Sequence, residues 1–186
     1  VCSSDLPSIW TLSEPYGARD WWPGKDTPAD KADSSDVWIT CSSELIGVSN
    51  GKLVDVIDNG GTTTYKWESR YPIANYLISM AISNFTVYED YFNYSVNDLP
   101  AGRQDSMLVI HYIYPEIFQN VKLQLDKTIQ MLEIFSEIFG PYPFLNEKYG
   151  HASFGRGGME HQTISSMGAF HDGVISHELA HQWFSV

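Results

Sequence analysis

The sequence has few basic residues, little cysteine and no long apolar run. Its 186 residues include 11 Lys and Arg against 23 Asp and Glu, which gives a net charge of −12 at pH 7. Such a chain is poorly suited to neutralise phosphate groups, and this argues against nucleic acid as a partner. Its 2 Cys do not make a disulfide framework. A membrane-spanning helix needs about 18 consecutive apolar residues, and the sequence contains no such run.

The N-terminal half has the pattern of β-structure. Aromatic residues make up 14% of the chain, and no helical period appears in this half. The strand-like runs are 36–40, 52–57, 62–67, 76–87 and 107–114. The segment Asp58-Asn59-Gly60-Gly61 predicts a hairpin turn between two of them, because Asn and Gly tolerate positive φ angles. Residues 10–34 are rich in Pro, Gly and aromatics and predict an irregular, anchored loop.

The pattern changes to helix after Tyr114-Pro115. Apolar residues recur there at steps of three and four, which predicts one amphipathic helix. The apolar stripe consists of Val121, Leu125, Ile129, Leu132, Phe135 and Phe139. Gly140-Pro141 ends this helix, since Gly accepts a left-handed cap and Pro cannot continue the helix. A strand is expected over 149–154, an extended Gly-containing segment over 155–170, and a last helix from about Gly173 onward.

The last predicted helix contains the sequence HELAH, from His177 to His181. Residues four apart share one helical face, so the two imidazoles can ligate a single Zn²⁺. Glu178 lies beside them, close enough to take a proton from an attacking water. Ile175 and Leu179 fall on the opposite side of the helix and are expected to pack. Taken alone, the motif has a plain alternative, a chance pattern whose histidines are satisfied by hydrogen bonds.

A second motif, GGMEH, runs from Gly157 to His161. Paired glycines allow another chain to approach the backbone closely, as a substrate-binding strand requires. Glu160 offers a carboxylate to a cationic group of a substrate. By itself this segment is also typical of a glycine turn followed by a solvated glutamate. The combination of both motifs is much more specific than either one.

Together the two motifs resemble those of the gluzincin aminopeptidases, the zinc metallopeptidase family that includes aminopeptidase N. GGMEH stands for the family's GxMEN-type exopeptidase motif, and HELAHQWF stands for its HExxH segment. The segments SEPYGAR and WPGKDTP look like the family's N-terminal loop, and GGMEHQT and FGPYPF are most similar to bacterial members. The resemblance covers nearly the whole chain after Leu6.

The resemblance implies a zinc site and a catalytic base. His177 and His181 would be zinc ligands, and Glu178 would be the general base. The family's third ligand, a Glu about 18 residues after the second His, and its transition-state-stabilising Tyr are both expected beyond Val186. The 186-residue chain alone is therefore expected to bind zinc weakly, to hydrolyse no aminoacyl substrate, and to leave the apolar face of the last helix partly exposed.

The resemblance also implies how a substrate would be held. Glu160 would bind the free α-amine of a peptide, and Glu14 would be a second anionic anchor. Two carboxylates suit this task, because an ammonium group is costly to desolvate unpaired. Gly158 and Met159 would line the same strand and bind substrate through their backbone. The expected partners are peptides with a free amino terminus.

Four places depart from the family pattern or from a natural sequence. His161 stands where many members have Asn, and Gly24 stands where many have Cys. Ser185-Val186 replaces the usual Gly-Asp. The first residues, VCSSDL, are what the end of a sequencing adapter would encode, so residues 1–6 are excluded from the fold. Cys41 then becomes a lone thiol, expected to be a buried strand residue.

The sequence therefore predicts an α+β chain, with an N-terminal antiparallel β domain over 7–114 and the first part of a thermolysin-like α/β catalytic domain over 115–186. The predicted function of the full-length protein is that of a zinc aminopeptidase. A zinc endopeptidase, an epoxide hydrolase of the same family and a peptide-binding protein without activity are the alternatives. Bacterial relatives favour a periplasmic or secreted location.

Overall fold

A computed structural model describes residues 8–94 and 106–184. The expectations for residues 1–6 and for Ser185-Val186 lie outside these ranges. Within them the strands are β1 (Ile9–Trp10), β2 (Ser35–Ser42), β3 (Ile46–Ser49), β4 (Lys52–Asp58), β5 (Thr62–Ser69), β6 (Met80–Ser83), β7 (Thr86–Asn93), β8 (Ser106–Ile113), β9 (Lys148–Ser153), β10 (Gly158–Met159) and β11 (Ser165–Met167). The helices are α1 (Pro115–Leu125), α2 (Thr128–Phe139) and α3 (Asp172–Phe184). No helix in the described ranges is long and apolar enough to cross a membrane.

The strands of the described residues form three sheets. Two have three strands each, in the orders β1-β6-β3 and β2-β5-β4, and all their pairs are antiparallel. The third has five strands in the order β10-β11-β9-β8-β7, with parallel pairing of β9 to β8 and to β11. The predicted α+β fold, with antiparallel β-structure followed by a mixed α/β part, is confirmed.

The five-stranded sheet is the middle layer of the molecule. Alternate residues of β8 point to opposite faces, as the two-residue period of a strand requires. Ile110 packs in a core cluster with Trp67 of the smaller sheets. Its neighbour Val109 packs in another cluster with Leu132 of α2 and Leu179 of α3. The helices thus cover one face of the sheet, and the antiparallel sheets cover the other.

The same sheet joins strands from both sides of the domain boundary predicted near residue 114. β7 and β8 precede that position in the chain, while β9, β10 and β11 follow it. Eight residue pairs connect β7 with β8. On its other edge β8 pairs in parallel with β9. The division into domains stays a prediction.

The predicted hairpin turn is confirmed. Asn59 N–H donates to the carbonyl of Thr62 over 2.8 Å, and Gly60 has a φ of 73°. The predicted run 76–87 is wrong as one strand, because a 3-10 turn at Asn75–Leu77 precedes β6 and residues after Ser83 leave for the five-stranded sheet.

The single predicted helix after Pro115 is also wrong, because it is divided into α1 and α2. The interruption is a change in hydrogen bonding: Lys127 N–H bonds to the carbonyl of Gln124, three residues earlier. Asp126 is held at this point by Tyr88, whose hydroxyl donates to it over 2.7 Å. The apolar period continues across the break, which is why the sequence pattern does not reveal it. Gly140 ends α2 with a φ of 91°, as expected.

Two buried histidines pair on neighbouring strands under the helical layer. His111 and His151 are opposite each other in β8 and β9, and their Nδ1 atoms are 2.9 Å apart. The side chains are stacked, with ring centroids 4.9 Å apart. Burial lowers the pKa of His111 to about 3 and lowers the pKa of His151 well below its usual value. Both imidazoles are therefore neutral in the folded chain at neutral pH.

This pair should make the folded chain sensitive to acid. Imidazoles of the unfolded chain take up protons near pH 6.5, whereas the folded pair does not, so stability present above that pH is lost as the pH falls through it. Replacing both His111 and His151 by Leu should reduce the slope of unfolding free energy against pH by about 2.5 kcal/mol per pH unit between pH 6 and 5. Urea unfolding followed by tryptophan fluorescence measures this slope.

All carboxyl groups are common to the two proteins compared, so their contributions to the slope cancel. Replacing both partners by apolar side chains also avoids leaving one buried nitrogen unpaired. Equal slopes for the wild-type and the double variant would contradict the assignment of two neutral imidazoles in the fold.

Candidate active site

Helix α3 carries the HELAH motif and is fixed to the sheet by its apolar side. Ile175 and Leu179 are both 0% exposed. Trp183 is half-buried, and its Nε1 donates to the carbonyl of Gly140 over 2.9 Å. The predicted packing face is confirmed. The expectation that this face is partly exposed is wrong for Ile175 and Leu179, because α3 packs against the five-stranded sheet and α2 and both side chains are buried.

The two histidines of the motif converge on one point at the other side of α3. The Nε2 atoms of His177 and His181 are 3.2 Å apart, and the rings are nearly perpendicular at 84°. Two nitrogen ligands of a tetrahedral zinc, each about 2.0–2.1 Å from the metal, lie about 3.3 Å apart. His177 is exposed and His181 is partly buried. The pair therefore fits two ligand positions of a zinc ion.

The pair does not complete a metal site by itself. Across residues 8–94 and 106–184, no group of three or more His, Cys, Asp and Glu side chains is arranged to hold a metal ion. His151 and His161 are both 0% exposed and bond to His111 and Ser166, respectively. The family resemblance places the third ligand, a Glu, outside the described residues.

Glu178 lies on the buried flank of the histidine pair. Its side chain is 4% exposed and occupies the space beside Gly158, where an added Cβ would be 2.1 Å from its Oε1. Its Oε2 is buried and has no hydrogen-bond partner among the described residues. Burial, and then the charges of Glu160 and Glu14, raise the pKa of Glu178 to about 7. A buried, unsatisfied carboxylate of this kind is typical of a functional site.

The two predicted amine-binding carboxylates belong to the same electrostatic cluster. Glu160 follows β10 directly and is 9% exposed, while Glu14 is exposed. Both charges act on Glu178, and both also act on Tyr76, whose pKa they raise in addition to the larger effect of burial. Three carboxylates from distant parts of the sequence thus meet in one region. Carboxylates whose charges raise the pKa of a neighbouring carboxyl group favour a cationic ligand between them.

Gly158 and Met159 form β10, which lies at one edge of the five-stranded sheet in the described residues. One side of β10 pairs with β11, where Gly158 is opposite Met167. The Met159 side chain is 1% exposed and packs in a core cluster with Tyr76 and Phe154. A role for Met159 in substrate binding therefore concerns its backbone, as the resemblance implies.

Sequence reasoning missed three residues of this region. Tyr76 is 6% exposed, and the charges of both amine-binding candidates, Glu160 and Glu14, raise its pKa. Gln182 is 3% exposed and bonds to the loop after Glu160 through Thr163. A signal for Gln182 was present: it lies about 140° from His177 on a helical wheel, close to the packed face, where a polar side chain needs a partner. Tyr76 and Thr163 had no comparable signal.

The architecture, with the HELAH helix packed on a mixed sheet, is similar to that of solved zinc metallopeptidases. An M1 zinc metallopeptidase from Deinococcus radiodurans aligns with it at a TM-score of 0.71 and 26% identity, over 95% of this chain and 39% of that one. A second structure, an M1 zinc metallopeptidase variant from the same organism bound to a Tyr-Ser-Ala substrate, has a TM-score of 0.72 at 23% identity and covers 95% of this chain and 40% of that one.

Comparison of the amino-acid sequence with curated proteins gives similar relatives. The chain is 25% identical over 192 residues to aminopeptidase M1 of Arabidopsis thaliana, which covers 94% of this chain and 20% of that protein. It is 25% identical over 193 residues to endoplasmic reticulum aminopeptidase 1 of Mus musculus, with the same coverage. No family model matches the chain. The resemblance to the aminopeptidase N-like zinc metallopeptidases is confirmed, and the chain spans about a fifth of the length of these curated relatives.

Proposed function

We propose that the protein containing this chain is a zinc-dependent aminopeptidase, which hydrolyses the first peptide bond of a peptide. The observation that carries the proposal is the pair of converging imidazoles of His177 and His181 beside the buried Glu178, a carboxyl group whose pKa the charges of Glu160 and Glu14 raise further. The relatives named as aminopeptidases support the same activity. Since the chain covers about 20% of those relatives, the activity is proposed for the whole protein.

Recognition of the amino terminus would fall to Glu160 and Glu14. Their two negative charges offset the desolvation of a substrate ammonium, which no single exposed carboxylate would do as well. Because the anchor binds a free amine and lies close to the base, cleavage is restricted to the first peptide bond. An endopeptidase needs no such pair, so the acidic cluster favours the exopeptidase.

Hydrolysis would take place beside the histidine pair. His177 and His181 would hold zinc, which when bound polarises the scissile carbonyl and acidifies the attacking water. Glu178 accepts the proton of that water and afterwards delivers it to the leaving amine. Its position against Gly158 keeps this carboxylate next to the strand that would bind the peptide backbone. The edge of β10 that is opposite β11, which pairs with no other strand of the described residues, would align the substrate as an added strand.

The proposal is tested with two substrates that differ only at the amine. The zinc-loaded protein containing this chain should hydrolyse an alanyl or leucyl amide, and acetylation of the amine should reduce kcat/KM by about a hundredfold or more, because the charge-assisted contacts to both carboxylates are lost. Equal rates on free and acetylated substrates would instead indicate an endopeptidase. Hydrolysis of an epoxide but of neither amide would indicate the epoxide hydrolase branch. A periplasmic or secreted location stays a prediction.

A further inference from the structure

A buried side-chain amide joins the zinc-binding helix to the loop that follows Glu160. Gln182 comes directly after His181, and its Oε1 accepts a hydrogen bond from the backbone N–H of Thr163 over 2.8 Å. Its Nε2 donates to the carbonyl of His161 over 3.4 Å. One side chain of α3 therefore bonds to two backbone groups, at His161 and Thr163, in the turn between β10 and β11. We refer to this pair of hydrogen bonds as the Gln182 clamp.

The opposite side of the same turn is fixed to the antiparallel sheets. Asn50 donates from Nδ2 to the carbonyl of Gln162 over 2.6 Å. The backbone N–H of Gly51 donates to the hydroxyl of Thr163 over 2.8 Å, and Lys148 Nζ lies 3.5 Å from the same hydroxyl. Because the turn is held from that side, the Gln182 clamp fixes the position of α3 relative to the turn.

The backbone of Thr163 shows how firmly the turn is held. Its φ of 66° lies in the left-handed region, which is unfavourable for a β-branched residue. Such a conformation is energetically unfavourable and persists only where the surroundings over-determine it. The bonds from Gln182, Gly51 and Lys148 are those surroundings. The turn after Glu160 is thus a rigid part of the fold.

We infer that Gln182 is a positioning residue that sets the spacing between the histidine pair of α3 and the amine anchor Glu160. The inference rests on the proposed function. His181 precedes Gln182 in the helix, and Glu160 precedes the clamped turn, so each partner is one to three residues from the clamp. An enzyme that cuts one residue from the amino terminus needs its anchor and its cleavage point at a fixed separation.

The first test measures the Gln182 clamp by hydrogen exchange and requires no enzyme assay. In Gln182→Met the amide of Thr163 loses its acceptor, and its hydrogen exchange should become about fivefold faster or more, as expected for one net hydrogen bond. Gln119→Met makes the same change at an exposed position of α1 and should leave exchange at Thr163 as it is. Unchanged exchange in Gln182→Met would overturn the inference.

The second test measures the spacing in the zinc-loaded protein. An α-aminoacyl amide and a β-aminoacyl amide differ by one carbon between the ammonium and the scissile carbonyl. The wild-type protein should prefer the α-substrate, and Gln182→Met should reduce the ratio of the two kcat/KM values by about fivefold, with zinc content unchanged. A loss of folded protein would lower both rates equally and would not change this ratio.

Each outcome has a distinct meaning. Faster exchange at Thr163 together with a smaller ratio supports the inference, and faster exchange with an unchanged ratio overturns it. A wild-type protein that hydrolyses neither substrate would refute the proposed function, and the inference with it. If Gln182→Met does not fold, Gln182→Asn keeps the amide but withdraws it by one methylene, and the same change in ratio is expected.

Discussion

Glu178→Gln should reduce kcat by about a hundredfold or more, on the scale of general-base catalysis, while zinc stays bound. The substitution keeps the size of the side chain and leaves both zinc-binding histidines in place. It removes only the carboxylate that lies against Gly158, whose Oε2 is buried and lacks a hydrogen-bond partner within residues 8–94 and 106–184. Steady-state rates on an alanyl or leucyl amide, with zinc content measured on the same sample, give both quantities.

A matched control is available on a neighbouring helix. Glu133→Gln removes a carboxylate from the exposed side of α2 and should leave kcat as it is. A Glu178→Gln protein that keeps most of its activity would rule out Glu178 as the base. Loss of zinc in this variant would assign the residue to the metal site instead.

The second large effect is expected at the amine anchor. Glu160→Gln removes one charge-assisted contact to the substrate ammonium. This should cost about 2 kcal/mol of transition-state binding, which lowers kcat/KM on a free-amine substrate about thirtyfold. Glu14→Gln should act in the same direction. The double variant should lose less than the sum of both free energies, because the two carboxylates contact a single ammonium group. A double-mutant cycle on a leucyl amide measures the difference.

Acetylated substrates provide the control for this cycle. They carry no ammonium, so neither substitution should lower the residual rate on them. Unchanged kcat/KM on the free amine in Glu160→Gln would refute the role of Glu160. Strict additivity of the two effects would mean that the carboxylates act on different groups.

The sequence was sufficient to predict which face of α3 packs, because helical geometry relates residues that are close in the chain. The four-residue spacing of His177 and His181 and the period of Ile175 and Leu179 together determine which face packs and which is open. The structure agrees, with both apolar residues buried and the two Nε2 atoms 3.2 Å apart. The hairpin turn at Asp58–Gly61 was predictable for the same local reason.

Features that depend on distant segments were not predictable. The burial of Glu178 follows from the approach of Gly158, 20 positions earlier, and the sequence does not contain that contact. Thr163 adopts a left-handed conformation only because groups from Gly51 and Gln182 bind it. Likewise, the break at Asp126 depends on Tyr88 and leaves the apolar period unchanged. Tertiary contacts decide each of these cases against local preference.

We propose that His177 and His181 bind zinc beside Glu178. Anomalous diffraction at the zinc absorption edge, on crystals of the zinc-loaded protein containing this chain, tests it most directly. We predict one anomalous peak in contact with Nε2 of both histidines. It should be absent in the double variant His177→Ala/His181→Ala. A protein that shows no zinc at this pair, or binds its only zinc elsewhere, would contradict the assignment of His177 and His181 as zinc ligands.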